Sequence, residues 1–108
     1  MMELMTKGIK EAFKKQGDTS SKEASDIKII VKYFNPCGVG TWYCYEYNEE
    51  DEILWCYANL GMPEFAECGT VSLKELREVT SPPLGLGIER DLHFGDHTLQ
   101  EVMDGKVR

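Results

Sequence analysis

The chain has no C-x-x-C pair, no phosphate-binding loop and no long apolar run, and few basic residues in its main body. Its four cysteines, Cys37, Cys44, Cys56 and Cys68, are separated by seven, twelve and twelve positions. Zinc sites draw their ligands from close pairs on a turn. These four therefore read as reduced, buried thiols acting as small apolar groups. Leu84-Gly85-Leu86-Gly87 is rich in glycine, yet it lacks G-x-x-x-x-G-K and a strand-to-helix setting. No apolar stretch approaches the roughly 18 residues that cross a bilayer. Lys7, Lys10, Lys14 and Lys15 interrupt the N-terminus where a signal peptide would be apolar. The expectation is a cytoplasmic protein with no membrane partner. No internal repeat is visible.

Basic charge is confined to one end. Residues 1–32 carry seven lysines against five acids, a net of +2. Residues 33–108 carry five Lys or Arg against fourteen acids, a net of −9. The net charge of the 108 residues is −7. Duplex DNA binding needs a basic surface that displaces counterions, so no duplex DNA partner is expected. Length and a hydrophobic content of 42% suit one domain, residues 1–108.

What is present is a β-hairpin over residues 41–60. Two aromatic, β-prone runs flank the acidic break Asn48-Glu49-Glu50-Asp51-Glu52. With 48–52 as the loop, Tyr47 faces Ile53, Tyr45 faces Trp55 and Tyr43 faces Tyr57 on one side. Glu46 then meets Leu54, Cys44 meets Cys56 and Trp42 meets Ala58 on the other. The Cys44–Cys56 juxtaposition is compatible with a bridge, which a reducing cytoplasm disfavours. Both faces are largely apolar, so the sheet is covered on both sides or exposes one face for binding.

Around the hairpin, residues 2–16 read as a basic amphipathic helix, with Met2, Met5, Ile9, Ala12 and Phe13 inward and Gly17 as its stop. Residues 17–25 read as a polar, mobile linker after it, and Ile27–Phe34 as a strand. Asn35–Gly40 turns the chain into the hairpin. Gly61-Met62-Pro63 breaks the sheet, and residues 64–69 form a loop or short turn. A brief strand is expected at Gly69–Val71. Ser72-Leu73-Lys74-Glu75 is a capping box opening a helix near 72–80, with Val71 and Leu76 placed as a hydrophobic staple. Ser81-Pro82-Pro83 ends that helix. Thr98-Leu99-Gln100-Glu101 caps a short helix near 98–104, with Leu99, Val102 and Met103 inward and Gly105 as its stop. The fold expected is α+β: a small, mainly antiparallel sheet centred on the hairpin, with three helices.

Four segments occur in an order that resembles the bacterial and phage family of unknown function DUF2958. They are Gly40-Thr41-Trp42-Tyr43, Asn59-Leu60-Gly61-Met62, Gly69–Leu76 and Ile88-Glu89-Arg90-Asp91-Leu92-His93-Phe94. The last is the most specific. The resemblance extends to Leu4-Met5-Thr6-Lys7 and to Gly105-Lys106-Val107-Arg108. It implies a setting on plasmids, phages or other mobile elements. Some members carry a label of single-stranded DNA endonuclease. The family often has a Cys-Pro-Glu-Leu-Gly type segment before the capped helix; here Pro63–Gly69 is rearranged. The resemblance supplies no catalytic residue.

Three groups of residues could carry an activity. As a strand, 89–94 puts Glu89, Asp91 and His93 on one face, roughly 6.6 Å between same-side neighbours, and Arg90 on the other. Carboxylates plus imidazole suit a divalent metal that activates water for phosphodiester cleavage, with Asp96 and His97 as reinforcements. The same residues also read as a solvated strand face with an ion pair from Arg90. Tyr43, Tyr45, Tyr47, Trp55 and Tyr57 could stack single-stranded bases, or pack beneath a terminal helix as core. The acids of 46–52 with Glu64, Glu67, Glu75 and Glu78 could imitate a phosphate array, or simply keep a small domain soluble. The expectation is a non-catalytic accessory or interaction protein with a protein partner and no cofactor. The alternatives are a metal-dependent single-stranded DNA nuclease and an acidic decoy of a DNA-binding enzyme.

Overall fold

The computed structural model describes residues 3–36, 38–61, 66–81 and 86–106. Expectations resting on Met2, Cys37, residues 62–65, residues 82–85 and Val107–Arg108 lie outside these. Among the described residues five antiparallel strands form the main sheet: β1 (Val31–Phe34), β2 (Thr41–Asn48), β3 (Ile53–Asn59), β4 (Glu67–Ser72) and, beyond β5 (Thr80–Ser81) and β6 (Leu86–Gly87), β7 (Glu89–Arg90). Their order across the sheet is β4-β3-β2-β1-β7. β5 and β6 pair separately as a two-residue ribbon. Among the described residues there are three α-helices: α1 (Lys7–Gln16), α2 (Leu73–Glu78) and α3 (Leu99–Met103). This is the α+β architecture that the hydrophobic patterning predicts. No helix among the described residues is long and apolar enough to cross a membrane.

The hairpin is present with a corrected register. Tyr43 opposes Tyr57 and Cys44 opposes Cys56, as the alternation predicts. Beyond them a β-bulge at Tyr45 shifts the pairing by one, so Glu46 opposes Trp55, Tyr47 opposes Leu54 and Asn48 opposes Ile53. The turn shortens to Glu49–Glu52. The cause is the Glu46 carboxylate. Unbulged alternation would aim it into the side of the sheet that holds Cys44 and Leu54, and an unpaired buried charge is costly. The bulge returns Glu46 to the other face, where its carboxylate accepts from the Thr19 amide at 2.8 Å and hydroxyl at 2.6 Å. Tyr47 crosses over instead and packs on Phe13 of α1, ring centroids 5.7 Å apart. The Gln16 side-chain amide donates to the carbonyl of the bulged Tyr45 at 2.6 Å.

Each face has its own core. α1 and α2 cover the first with Phe13, Leu73 and Leu76, which close over Val31, Tyr33, Cys44, Leu54 and Cys56. The Tyr33 hydroxyl, pushed up in pKa chiefly by burial, donates to the Leu4 carbonyl at 2.5 Å. α3 and the 3₁₀ turn Ala24–Asp26 cover the second, with Leu99 and Val102 against Ile27, Ile29, Tyr43 and Tyr45.

Several boundaries differ from the sequence reading. α1 begins at Lys7, because the Thr6 hydroxyl accepts from the Ile9 amide; Leu4 and Met5 are buried ahead of it without being helical. Within 17–25, read as a linker, Thr19 is buried against Glu46. Ile27–Ile29 lies ahead of the β1 ladder and bonds to the 97–99 segment. β4 starts at Glu67 instead of Gly69. Of the expected Ser72 capping box, the bond from the Glu75 amide to the Ser72 hydroxyl is made and no return bond from the Glu75 side chain is seen; the helix stops at Glu78. The Thr98 box is complete in both directions, although Met103 is exposed. Cys68, too, is exposed, unlike Cys44 and Cys56; all three are free thiols.

Candidate functional site

The 88–94 segment is anchored by buried Ile88 and by pairing of β7 with β1. The strand ends at Arg90, not Phe94. The Asp91 amide makes a last bond to the Lys32 carbonyl at 2.9 Å, and the chain then turns. One Asp91 oxygen accepts from the His93 amide at 2.9 Å, and the other lies 3.3 Å from the Lys32 ammonium. Lys32 in turn sits 5.6 Å from the Tyr43 ring centroid and 5.8 Å from that of Phe94. Burial pushes the Asp91 acid upward, but the His93 amide and Lys32 outweigh it and hold the carboxyl below its ordinary value.

The expected common face of Glu89, Asp91 and His93 therefore does not form, because the alternation that would create it stops after two residues. His93 is exposed in the turn. Arg90 reaches across to the Glu3 carbonyl at 2.7 Å. Asp96 pairs with Lys28 at 3.5 Å, and His97 with Glu101 at 3.4 Å, so neither reinforces Asp91. Among the described residues no three His, Cys, Asp or Glu side chains are grouped to hold a metal ion.

The aromatic face is roofed. Tyr43 and Tyr45 are buried under α3, while Trp55 and Tyr57 are half-buried at its margin. Burial, with the Cys68 thiol beside it, pushes the Tyr45 hydroxyl up. A cavity of about 410 Å³ opens beside Tyr45, Trp55 and Glu46, and one of about 270 Å³ beside Tyr43, Tyr57 and Met103. The acid-rich turn is partly neutralised from within. Lys14 and Lys10 lie 3.3 and 3.7 Å from Glu49, and Arg77 lies 3.3 Å from Glu52. The Lys14 contact, foremost, lowers the Glu49 acid.

A further site was not visible in the sequence. On the α1/α2 side of the sheet, cross-strand rows run Cys44–Cys56–Gly69 and Trp42–Ala58–Glu67. Cys56, Ala58 and Gly69 are small, so the row ends toward β4 leave a cavity of about 520 Å³. Trp42, Leu60, Thr70, Val71, Glu67 and Glu75 also line it. Leu60 and neighbouring Val39 are 63% and 69% exposed, which marks an uncovered apolar rim. Glu67, Cys68, Gly69 and Thr70 are exposed in succession along β4. Nothing among the described residues pairs with the outer edge of that strand. The signal available in sequence was the run Glu67–Ser72, a strand without Lys or Pro, but its edge position depends on the topology.

A five-stranded antiparallel sheet held between helices, with one clasped edge and one edge unpaired among the described residues, defines an α+β fold. The chain belongs to the DUF2958 family, described as proteins of unknown function, whose model matches residues 4–104. No curated protein and no solved structure matches the chain.

Proposed function

We propose that the protein is a non-catalytic accessory protein of a bacterial mobile element, acting in the cytoplasm as one domain by binding a protein partner. The observation that carries this is the commitment of Asp91. Its two oxygens serve Lys32 and the His93 amide, so the most specific stretch of the family resemblance works as a clasp for the fold. Catalytic carboxylates would instead converge with other donors on a shared point. Membership of the family supports the mobile-element setting, and the acidic body supports a protein partner over duplex DNA. The reading needs no cofactor. Neutralisation of Glu49 and Glu52 by Lys10, Lys14 and Arg77 weakens the case for a phosphate decoy.

The test is a cleavage assay on single-stranded DNA with Mg²⁺ or Mn²⁺. The expected result is no cleavage above buffer, the same for wild type and His93→Ala. Metal-dependent cleavage that disappears in His93→Ala would establish the nuclease alternative and overturn this reading.

A further inference from the structure

We propose that the outer edge of β4 accepts an extended segment of a partner protein as an added strand, with an apolar side chain in the neighbouring cavity and a Lys or Arg against Glu67 and Glu75. This rests on the protein-binding reading above and names its surface and the chemistry of its partner.

Three observations converge. First, β4 offers a six-residue edge, Glu67–Ser72, with no bulge, proline or lysine. Soluble proteins normally blunt such an edge by those devices or by charges, because its unpaired amides and carbonyls are a template for another strand; the one charge on β4 is Glu67 at its start. Strand addition supplies affinity through main-chain hydrogen bonds and specificity through pockets for alternate side chains.

Second, the pocket is in place and on the right side. Gly69 and Glu67 point to the same face, two residues apart, and both line the 520 Å³ cavity. Among the described residues, a Cβ placed on Gly69 would meet nothing within 4 Å. An incoming strand would set alternate side chains over this space, one against Trp42, Ala58 and Val71 and the next beside Glu67.

Third, the charge selects the occupant. Glu67 and Glu75 line the cavity, and among the described residues no Lys or Arg does. A nucleic acid backbone is repelled there. A second copy would bring another net −7 chain, with its own Glu67, to the same edge. A segment alternating apolar and basic residues meets both the walls and the rim.

The experiment is selection of a random peptide library on the immobilised full chain, followed by titration of the enriched peptide into ¹⁵N-labelled protein. The expected peptides alternate apolar with Lys or Arg and shift amides of residues 67–72 and the Trp42 indole. Gly69→Val adds bulk where a Cβ meets no described atom within 4 Å and should weaken binding by about tenfold or more, with the amide spectrum otherwise kept. Glu67→Lys should reverse the preference toward acidic peptides. No enrichment, acidic peptides on wild type, binding unaffected by Gly69→Val, or shifts elsewhere each overturn the inference. So does a homodimer in light scattering that Gly69→Val dissociates, since the edge then serves a second copy. The nuclease assay is separate. Failure here with no cleavage removes this surface alone, whereas cleavage removes the protein-binding reading itself.

Discussion

The two edges of the main sheet are built in opposite ways. At one, β7 is only two residues long and is closed off by a half-buried charge pair, Asp91 with Lys32, itself set between Tyr43 and Phe94. At the other, β4 is six residues long, exposed along four of them, and followed at once by the capped helix α2. A short strand ending in charges is a sound way to stop a sheet. A long bare strand beside an apolar cavity is not, unless something is meant to sit there. The stretch most easily suspected of chemistry is tied into the fold through Asp91, and the stretch that attracts least notice in the sequence is the exposed one.

Substitutions can break this contrast, and the largest effect is expected where both edges share a foundation. Leu54 is fully buried and lies in the row with Tyr47 and Val71 that ties β4 to the hairpin. Leu54→Ala should cost about 2–5 kcal/mol, read from the urea midpoint.

At the clasped edge, Asp91→Asn leaves the Lys32 ammonium half-buried without its partner and should cost about 1–3 kcal/mol. The same pair sets a pH dependence. The folded state holds the Asp91 acid below its ordinary value, so the unfolded chain binds that proton more readily. The clasp's stability is then complete above the ordinary Asp value of about 3.9 and is lost as pH falls through the lowered folded value. Wild type should therefore lose more stability than Asp91→Asn between neutral pH and about pH 3. Parallel acid titrations of the two would count against the clasp.

At the open edge, Gly69→Val should change stability by no more than about 0.5 kcal/mol, since a Cβ there meets no described atom within 4 Å. A loss as large as that of Asp91→Asn would mean that β4 is packed like β7, and the contrast would fail. The smallest effect concerns exchange alone. The Asp91 amide, bonded to Lys32, should exchange with solvent more slowly than the outward-facing amides of β4. Equal rates would show that the outer edge of β4 is covered.

Most of the local structure was legible because its causes are local. The Ser72 and Thr98 caps need only a hydroxyl and the amide three residues on, and both are made. The hairpin followed from two aromatic runs about an acidic turn, and its outer half has the register that alternation requires. The inner half could not be read, because the bulge at Tyr45 answers a burial problem at Glu46 that exists only once α1 lies over the sheet. The expected 89–94 face failed for a related reason. Strand alternation lasts only while a neighbouring strand pairs, and β1 offers β7 just Tyr33 and Phe34.

Composition and patterning alone determined the α+β class, the acidic body, the three helices and the pairing of Cys44 with Cys56, since each depends on residues near in sequence or on totals. Only the tertiary structure decided which carboxylate is tied to which cation and which strand is left at the rim. It also placed Cys56, Ala58 and Gly69 side by side, where their small size becomes a cavity. These outcomes depend on contacts between segments far apart along the chain, and no local preference records which segments will meet.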